Sequence, residues 1–325
     1  MGLLYHNVEA LVREHLYRPI GGNELMVGRQ TVYFTPCEIL KFLRRSGIYP
    51  EAFEEADLDM DRSTQARLSG TENKNFITDA ALLRLLGVPQ ILALDRSDYE
   101  GAEIVWDLTQ PIPECLRGFA DFIIDGSTLD NVFDPAMTVR NFAEMLKPGG
   151  RLLMSNMYSN NYAPYAILPP LWFLDYFVVN GFTDCKIYIL VSPEFEDYSD
   201  LEAIYNKTDV FTIDLDCLSH PGRAVSPFVA PRVMVTIAFA EKGPKSTSHV
   251  TPVQQHYRSS AEWQQYRENL QPLIKSPRPH IVRSLSGMSL SDVRGGHLFI
   301  ANDFSARDPG TETAFANNRA AQPIG

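Results

Sequence analysis

The chain has 325 residues, 45% of them hydrophobic, and a formal net charge of −11 at pH 7. This length suits one large domain with additions, or two modest domains. Proteins that bind nucleic acids broadly are normally basic, because phosphate neutralisation supplies most of their affinity. We therefore expect no nucleic-acid partner and favour a small or neutral one.

No motif indicates a metal site, a disulfide or a membrane span. The four cysteines are scattered, without a CxxC pair or a Cys/His cluster, so we expect reduced thiols and a cytoplasmic protein. The longest apolar stretch, residues 162–182, contains two adjacent prolines and Asp175. It is expected to be a loop entering a buried helix rather than a membrane span.

The first third of the chain alternates helical and strand patterns. Apolar residues recur at helical spacing near the N-terminus, and Pro19, Gly21 and Gly22 end that pattern. In chain order the predictions are an N-terminal helical segment (1–22, with its helix over 3–18), a strand (24–28), a helix (36–46), a polar insertion (49–75) and a helix (79–86) capped by Thr78 or Asp79.

Short, fully apolar runs that alternate with helices follow, and they are typical of a parallel sheet covered on both faces. The runs are 90–95, 103–108, 120–126 and 151–156, the helices cover 135–146 and 169–180, and two long strands cover 184–191 and 232–242. The fold class predicted is α/β: a doubly wound, mostly parallel seven-stranded sheet with helices on both faces and an antiparallel strand near one edge.

The remaining segments are predicted to be additions to this sheet. Residues 192–231 form a second insertion, so the main domain spans 23–242. Residues 243–325 combine a linker, a short helix over 260–274 and a polar, disordered end.

Acidic or polar residues follow nearly every predicted strand. In an open parallel sheet, ligands bind beyond the carboxyl ends of the strands. A carboxylate after the second strand can accept hydrogen bonds from a ribose diol, whereas Asp at a strand exit is also a common turn cap. The residues at these exits are Gly28, Asp95, Asp107, Asp125, Gly126, Ser155 and Asn156.

Two motifs make the pattern more specific. The stretches "DLTQPIP" and "LKPGGRLL", together with "ILALD" and "ADFIIDG", resemble class I S-adenosylmethionine-dependent methyltransferases over residues 23–242. In that family the last strand is antiparallel and inserted before the sixth. The resemblance implies S-adenosylmethionine as cofactor, with Asp95 on the ribose hydroxyls, Asp107 on the adenine amine, Leu108 against the ring, Asp125 and Gly126 under the methionine end, and Gly28 against the cofactor backbone.

The first loop departs from the family. Its glycine-rich pattern is replaced by "VGRQT", and the interval from Gly28 to Asp95 is far longer than usual, an excess that the insertion 49–75 would explain. Arg29 either pairs with the cofactor carboxylate in place of backbone N–H groups or makes an ordinary surface ion pair in a degenerate pocket.

Candidates for the acceptor side lie in "DGSTLDNVFD" and "SNMYSNNYAPY". Asp130 is a candidate base, and the amide-rich remainder suits sugar hydroxyls; the alternatives are a turn or cap acid and turn-forming asparagines. The substrate-binding candidates are Asn131, Asn156, Asn160, Asn161 and Tyr162.

The sequence therefore predicts methyl transfer to a small-molecule or glycan acceptor, in sugar or cell-envelope biosynthesis. The alternative is a catalytically silent methyltransferase-like binding protein, which the altered first loop favours. A nicotinamide-dependent oxidoreductase ranks last, because no GxGxxG loop precedes Asp95.

Overall fold

The computed structural model describes residues 2–50, 53–61, 70–88, 90–159, 164–192, 198–213, 215–218, 233–278 and 299–301. Its helices are α1 (Tyr5–Tyr17), α2 (Pro36–Arg45), α3 (Asp79–Leu85), α4 (Pro135–Met145), α5 (Pro170–Val179), α6 (Leu201–Asn206), α7 (Leu215–Leu218) and α8 (Ser260–Lys275). Its strands are β1 (Glu24–Val27), β2 (Thr31–Val32), β3 (Ile77–Thr78), β4 (Leu92–Asp95), β5 (Ile104–Val105), β6 (Ala120–Asp125), β7 (Leu146–Met157), β8 (Asp184–Ser192), β9 (Asp209–Ile213), β10 (Val233–Glu241) and β11 (Phe299–Ala301).

One large sheet organises the molecule, in the order β11-β9-β8-β10-β7-β6-β1-β4-β5. The strands from β5 to β7 pair in parallel, whereas β10 is antiparallel to both β7 and β8. This confirms the doubly wound, mostly parallel sheet, and the antiparallel strand lies between the fifth and sixth predicted strands. The fold is that of the class I methyltransferases.

The predicted number of strands was wrong. The sheet has nine strands in the described residues rather than seven, because β9 and β11 extend it beyond β8 by antiparallel pairing. The five residues of β9 are fully buried, and they lie in the segment 192–231 that the sequence indicated as an insertion. The predicted disordered end, residues 302–325, lies outside the described residues.

Helices cover both faces of the sheet, as predicted. Because strand side chains alternate between faces, Leu25 and Val27 join one core cluster and Met26 joins the other. The first cluster lies under α4, α5 and α8, and the second lies under α1, α2, α3 and α6. The sheet is therefore sealed on both sides, and its open surface is at the strand ends.

Side-chain caps begin several of the helices, and one of them was indicated by the sequence. The Thr35 hydroxyl accepts from the Glu38 N–H, and the Glu38 carboxylate accepts from the Thr35 N–H, so α2 begins with a capping box. Thr78 caps α3 by accepting from Ala81, which settles the choice between Thr78 and Asp79.

The connection from β1 to β4 contains the two predicted helices and one structure that was not predicted. It holds both α2 and α3, and it also holds a two-stranded ribbon in which β2 pairs with β3. The polar excursion therefore explains only part of the unusual interval. The ribbon also fixes the chain immediately after Gly28, since Thr31 lies opposite Thr78.

A buried group of ionic side chains lies at the amino ends of the parallel strands. Glu14 of α1 accepts from Arg151 of β7, with 2.5 Å between oxygen and nitrogen, and from Arg278 after α8. Arg278 also pairs with Asp184 of β8. These side chains are between 2% and 6% exposed, so the network fastens α1 and the segment after α8 to the sheet.

Within the described residues, no helix combines the length and apolar character needed to cross a membrane.

Candidate functional site

A cleft of about 1620 Å³ runs along the carboxyl ends of the parallel strands. It lies at the carboxyl ends of β1, β4, β6 and β7, which is the edge at which an open α/β sheet binds ligands. Eight of the predicted site residues line it: Gly28, Arg29, Asp95, Asp107, Leu108, Gly126, Asn131 and Asn156. The carboxylates of Asp125 and Asp130 lie below its surface, and both residues are 0% exposed.

Gly28 and Asp95 are neighbours at the centre of this cleft. Gly28 has a φ of +68°, a conformation that favours glycine, and its N–H donates to the Leu94 carbonyl over 2.8 Å. A Cβ at residue 28 would lie 3.5 Å from Asp95 Oδ2. A ligand that hydrogen-bonds Asp95 therefore passes directly over the Gly28 backbone.

Asp107 closes a turn at the next strand exit. Its Oδ1 accepts from the N–H and the hydroxyl of Thr109, at 2.9 and 2.7 Å, and these hydrogen bonds lower the pKa of Asp107. The turn ends β5 after Val105, so the strand predicted over 103–108 is much shorter. Asp107 therefore caps a turn through Oδ1, as one alternative from the sequence proposed. The group near its other oxygen, Oδ2, is the Arg96 side chain, whose Nε lies 3.9 Å away.

Trp106 is a cleft residue that the sequence analysis missed. It lies between the two exit acids, and its Nε1–H is buried without a hydrogen-bond partner. Its backbone N–H donates to the Asp95 carbonyl over 2.8 Å, which holds the indole beside that acid. Leu108 follows, with its side chain 6% exposed in the core. An indole and a leucine beside two carboxylates form a surface on which a flat heterocycle can pack.

Arg29 makes the ion pairs that the sequence left as an alternative. Its guanidinium contacts Glu103 and lies 3.5 Å from Asp79 Oδ1, and its side chain is 22% exposed. Asp79 in turn accepts from the Gln30 N–H over 3.1 Å, and burial raises the pKa of Asp79. Arg29 is therefore engaged with two carboxylates of the protein itself.

Gln30 is a second residue that was missed. Its side chain turns back over the end of β1, and Nε2 donates to the carbonyls of Val27 and Gly28, at 3.2 and 3.4 Å. Its Oε1 is buried without a partner. A Cβ at Gly126 would lie 2.5 Å from this Oε1, so the amide fills the space against Gly126.

The exit of β6 is a strained turn. Ser127 has a φ of +86°, which is rare for a residue with a side chain. Its hydroxyl contacts both oxygens of Asp130 at 2.8 Å, and the Thr128 N–H donates to Asp125 over 2.7 Å. The two buried carboxylates hold this conformation from below.

Burial raises the pKa of both carboxyls, that of Asp125 to about 6. Asp125 also accepts from Asn156 Nδ2 over 3.1 Å, and Asp130 accepts from the N–H of Met157 over 3.2 Å and from Asn131 Nδ2 over 3.0 Å. The oxygens of Asp130 are thus occupied by internal donors and do not face the cleft. This arrangement favours the turn-acid alternative for Asp130, because a general base must reach the substrate.

The two asparagines that line the cleft differ in what they can offer. Asn131 donates from its amide to the Ser127 carbonyl and to Asp130. Asn156, 1% exposed, donates to Asp125 and retains a buried Oδ1 without a partner. Asn160, Asn161 and Tyr162 lie outside the described residues.

Aromatic side chains surround the mouth of the cleft. Phe133, Tyr165 and Tyr99 are 86%, 65% and 81% exposed. The rings of Phe133 and Tyr165 meet edge to face, with centroids 6.0 Å apart. Singly exposed aromatics are ordinary, but several around one opening mark a binding surface. Sequence patterns gave no sign of this rim, because its members come from three separate loops.

A smaller cavity of about 470 Å³ lies between α4, α5 and α8. Its buried charge is already neutralised: Asp175 accepts from Arg258 over 2.8 Å and from the Tyr266 hydroxyl over 2.7 Å. Arg258 also stacks over the Tyr266 ring, 3.8 Å from its centroid. These groups satisfy one another, so the larger cleft is the better candidate site.

No cluster of three or more His, Cys, Asp or Glu side chains suited to a metal ion occurs among the residues that the structure describes.

No family model and no curated protein matches the chain. Among solved structures, it is similar to the citrinin polyketide synthase CMeT domain, with 12% identity, a TM-score of 0.35 and coverage of 74% of this chain and 52% of that chain. It is also similar to phospholethanolamine N-methyltransferase 2 of Haemonchus contortus, in complex with phosphomonomethylethanolamine and S-adenosylhomocysteine. The identity is 10% and the TM-score is 0.34, with coverage of 74% of this chain and 53% of that chain. A putative methyltransferase of Bacillus halodurans has 16% identity and a TM-score of 0.32, with coverage of 50% of this chain and 87% of that chain.

The chain spans about half the length of the first two of these structures. Because these identities and TM-scores are low, we assign the fold from the strand order and from the antiparallel strand β10, which lies between β7 and β8. On that basis the chain has the class I methyltransferase fold.

Proposed function

We propose that the cleft binds S-adenosylmethionine and that the protein transfers its methyl group to a small-molecule acceptor. One observation carries the proposal: Gly28, Asp95 and Asp107 line a single cleft at the carboxyl edge of a sheet with this strand order. The resemblance in sequence assigned these three residues to the cofactor.

The nucleoside end of the cleft fits such a cofactor. Asp95 would accept from the ribose hydroxyls, Asp107 Oδ2 would accept from the adenine amine, and Trp106 with Leu108 would contact the ring.

The amino-acid end fits only after Gln30 moves. In the free protein its amide fills the space between the Gly28 carbonyl and Gly126. A flexible side chain can rotate away, whereas a backbone obstruction could not. Arg29 is assigned to its ion pairs with Glu103 and Asp79 in this proposal, and binding of the cofactor carboxylate remains its alternative role.

S-adenosylmethionine supplies an electrophilic methyl group, so the protein has mainly to align the acceptor and to provide for its proton. We assign Asn156, which lines the cleft, as the contact for a hydroxyl or amine of the substrate; its unpartnered Oδ1 is buried, so this contact requires the side chain to rotate towards the cleft. Asp130 and Asp125 are assigned a positioning role beneath the Ser127 turn. Asn131 belongs with them, because its amide is already engaged.

The aromatic rim favours an acceptor with an apolar face, such as an aromatic ring or the C–H face of a sugar. A glycan acceptor, in sugar or cell-envelope biosynthesis, is therefore compatible with Phe133, Tyr165 and Tyr99 but is not singled out by them. The net charge of −11 disfavours a polyanionic nucleic acid.

A second candidate is a binding protein of the same fold that performs no methyl transfer. One observation favours it: Gln30 fills the amino-acid end of the cleft. This candidate shares the nucleoside site and differs only in the absence of turnover.

Calorimetric titration of the protein with S-adenosylmethionine tests the shared part. Asp95→Ala removes the charged acceptor for the ribose and should weaken binding about 10- to 100-fold, the equivalent of one or two hydrogen bonds to a charged group. Asp98→Ala, an exposed acid of the same loop outside the cleft, is the matched control and should bind as the wild type does. Absence of heat with the wild-type protein would refute the proposal.

Turnover separates the two candidates. The protein is incubated with a methyl-labelled donor and cell extract, and label is sought in small molecules, in glycans and in RNA by mass spectrometry. Binding without label in any fraction would favour the silent protein. Label in RNA would contradict the small-molecule acceptor. For an identified acceptor, Phe133→Ala should raise KM more than it lowers kcat, because Phe133 lies at the mouth and not beside Asn156.

A further inference from the structure

The side chain of Gln30 occupies the inner end of the cleft in an unusual state. It is 7% exposed, and its Nε2–H groups donate to the Val27 and Gly28 carbonyls at the end of β1. Both hydrogen bonds are long, at 3.2 and 3.4 Å, and the oxygen at the other side of the amide has no partner. The amide is therefore held, but poorly satisfied.

The space that it fills depends on a glycine across the cleft. Gly126 follows β6, and a Cβ there would lie 2.5 Å from Gln30 Oε1 and 2.7 Å from its Cδ. The side chain thus bridges the exits of β1 and β6, the two central parallel strands that pair through Val27 and Asp125. Any ligand group that enters between these exits meets Gln30 first.

The proposed function places the amino-acid end of the cofactor at this same point, between Gly28 and the Asp125–Gly126 exit. An ammonium group there would need carbonyl acceptors. The Gln30 amide already donates to the Val27 and Gly28 carbonyls, and the Thr128 hydroxyl also donates to the Val27 carbonyl over 3.3 Å. A neutral amide N–H and a ligand ammonium therefore compete for one set of acceptors.

We propose that Gln30 is an internal competitor for the amino-acid end of the ligand and thereby sets the ligand specificity of the cleft. This inference rests on the proposed function and concerns only the amino-acid end. Adenine nucleosides without an amino-acid tail bind beside Gln30 and leave it in place. S-adenosylmethionine and S-adenosylhomocysteine must displace it.

Displacement is feasible for physical reasons. A hydrogen bond from an ammonium is charge-assisted and stronger than one from a neutral amide, so the ligand wins the carbonyls when its tail is present. The buried, unpartnered Oε1 gains solvent or a new donor when the side chain leaves. The cost of the exchange nevertheless lowers the apparent affinity for ligands that carry the tail.

The test is calorimetric titration of the full chain with S-adenosylhomocysteine and with 5′-methylthioadenosine, which lacks the amino-acid tail. Gln30→Gly and Gln30→Ala both remove the competing amide, and the alanine variant does so without adding backbone freedom. Gln110→Ala, an exposed glutamine that does not line the cleft, is the control. Thermal melting establishes that each variant is folded.

We expect both Gln30 variants to bind S-adenosylhomocysteine about tenfold more tightly than the wild type, the gain from removing a competing hydrogen-bonded group. Binding of 5′-methylthioadenosine should be unchanged in every variant. Weaker binding of S-adenosylhomocysteine to both variants would overturn the inference, since Gln30 would then be a ligand contact. Equal changes for the two ligands would also overturn it.

The failure of the proposed function has a different signature. If neither ligand binds the wild type or any variant, the cleft is not a site for adenine nucleosides at all. If 5′-methylthioadenosine binds throughout and S-adenosylhomocysteine binds the Gln30 variants best, both proposals are supported.

Discussion

Replacing Asp125 with asparagine tests how the protein holds a buried carboxylate under the cleft. Asp125 is 0% exposed and accepts from the Thr128 N–H and from Asn156 Nδ2. Asparagine can keep the first hydrogen bond through its oxygen. Its amide can serve the second if Asn156 rotates, because Asn156 Oδ1 is free of partners and becomes the acceptor. The substitution therefore removes a charge and keeps both side-chain hydrogen bonds, while the rotated Nδ2 of Asn156 takes the place of its unpartnered oxygen.

The magnitude follows from the pKa. Burial raises the pKa of Asp125 from 3.8 to about 6, so between these values the folded protein binds more protons than the unfolded chain. The free energy of unfolding of the wild type accordingly falls as pH rises through this window, by roughly 3 kcal/mol for a shift of about two units. Above about pH 6 the whole penalty of the buried charge is present.

Urea denaturation of the wild type and Asp125→Asn, from about pH 4 to about pH 8, measures the effect. The difference in unfolding free energy between the two proteins should move by roughly 3 kcal/mol in favour of the variant as pH rises. Asp98→Asn, at an exposed acid, should show no such movement. A constant difference across the pH range would refute the reasoning, and so would a difference that moves in favour of the wild type as pH rises.

Three other perturbations have expected outcomes in the same denaturation assay. Glu14→Gln should cost about 3–5 kcal/mol, because Arg151 and Arg278 would lose their shared buried anion; a loss under 1 kcal/mol, typical of surface pairs, would contradict the burial argument. Glu24→Gln should gain stability relative to the wild type as pH rises between about 4.5 and 7, since burial raises the Glu24 pKa to about 7 and neither carboxylate oxygen has a partner. Thr35→Ala should cost about 1 kcal/mol at all pH values through loss of the α2 cap, and a neutral effect would mean that the reciprocal Glu38 bond suffices.

The sheet could be predicted largely because its central strands are short apolar runs between glycines, prolines and acids. Apolar runs such as Ala120–Asp125 are readily interpreted as strands of a parallel sheet when helices alternate with them. Strands β2 and β3 have two residues each, too few to show any period. The five-residue strand β9 lies in the insertion 192–231, where no alternation of polar and apolar residues indicates a strand. It is a strand because it pairs with β8. Tertiary pairing, not local pattern, creates such strands.

The exits of the strands could be predicted for a related reason. Once Val27, Asp95 and Asp125 are assigned to strand ends, parallel pairing brings those ends to one edge. What each carboxylate does there depends on depth, which sequence does not encode. Asp95 lines the cleft, whereas Asp125, equally an acid after an apolar run, has its carboxylate buried beneath the turn of Ser127. Asp130 is buried beneath the same turn.

Gln30 shows the remaining limit of sequence patterns most sharply. A glycine-rich loop cradles a ligand by having no side chains, so a departure from it predicts a weaker site but not what replaces the glycines. Here the replacing side chain folds back onto the carbonyls of Val27 and Gly28 and reaches across to Gly126. In our proposal, the altered loop has therefore gained a group that would compete with a ligand at this point, in addition to losing glycines. If only the loss of glycines mattered, removing the Gln30 amide would leave the affinity for S-adenosylhomocysteine unchanged, whereas competition predicts that this affinity rises, so the Gln30 variants distinguish the two effects.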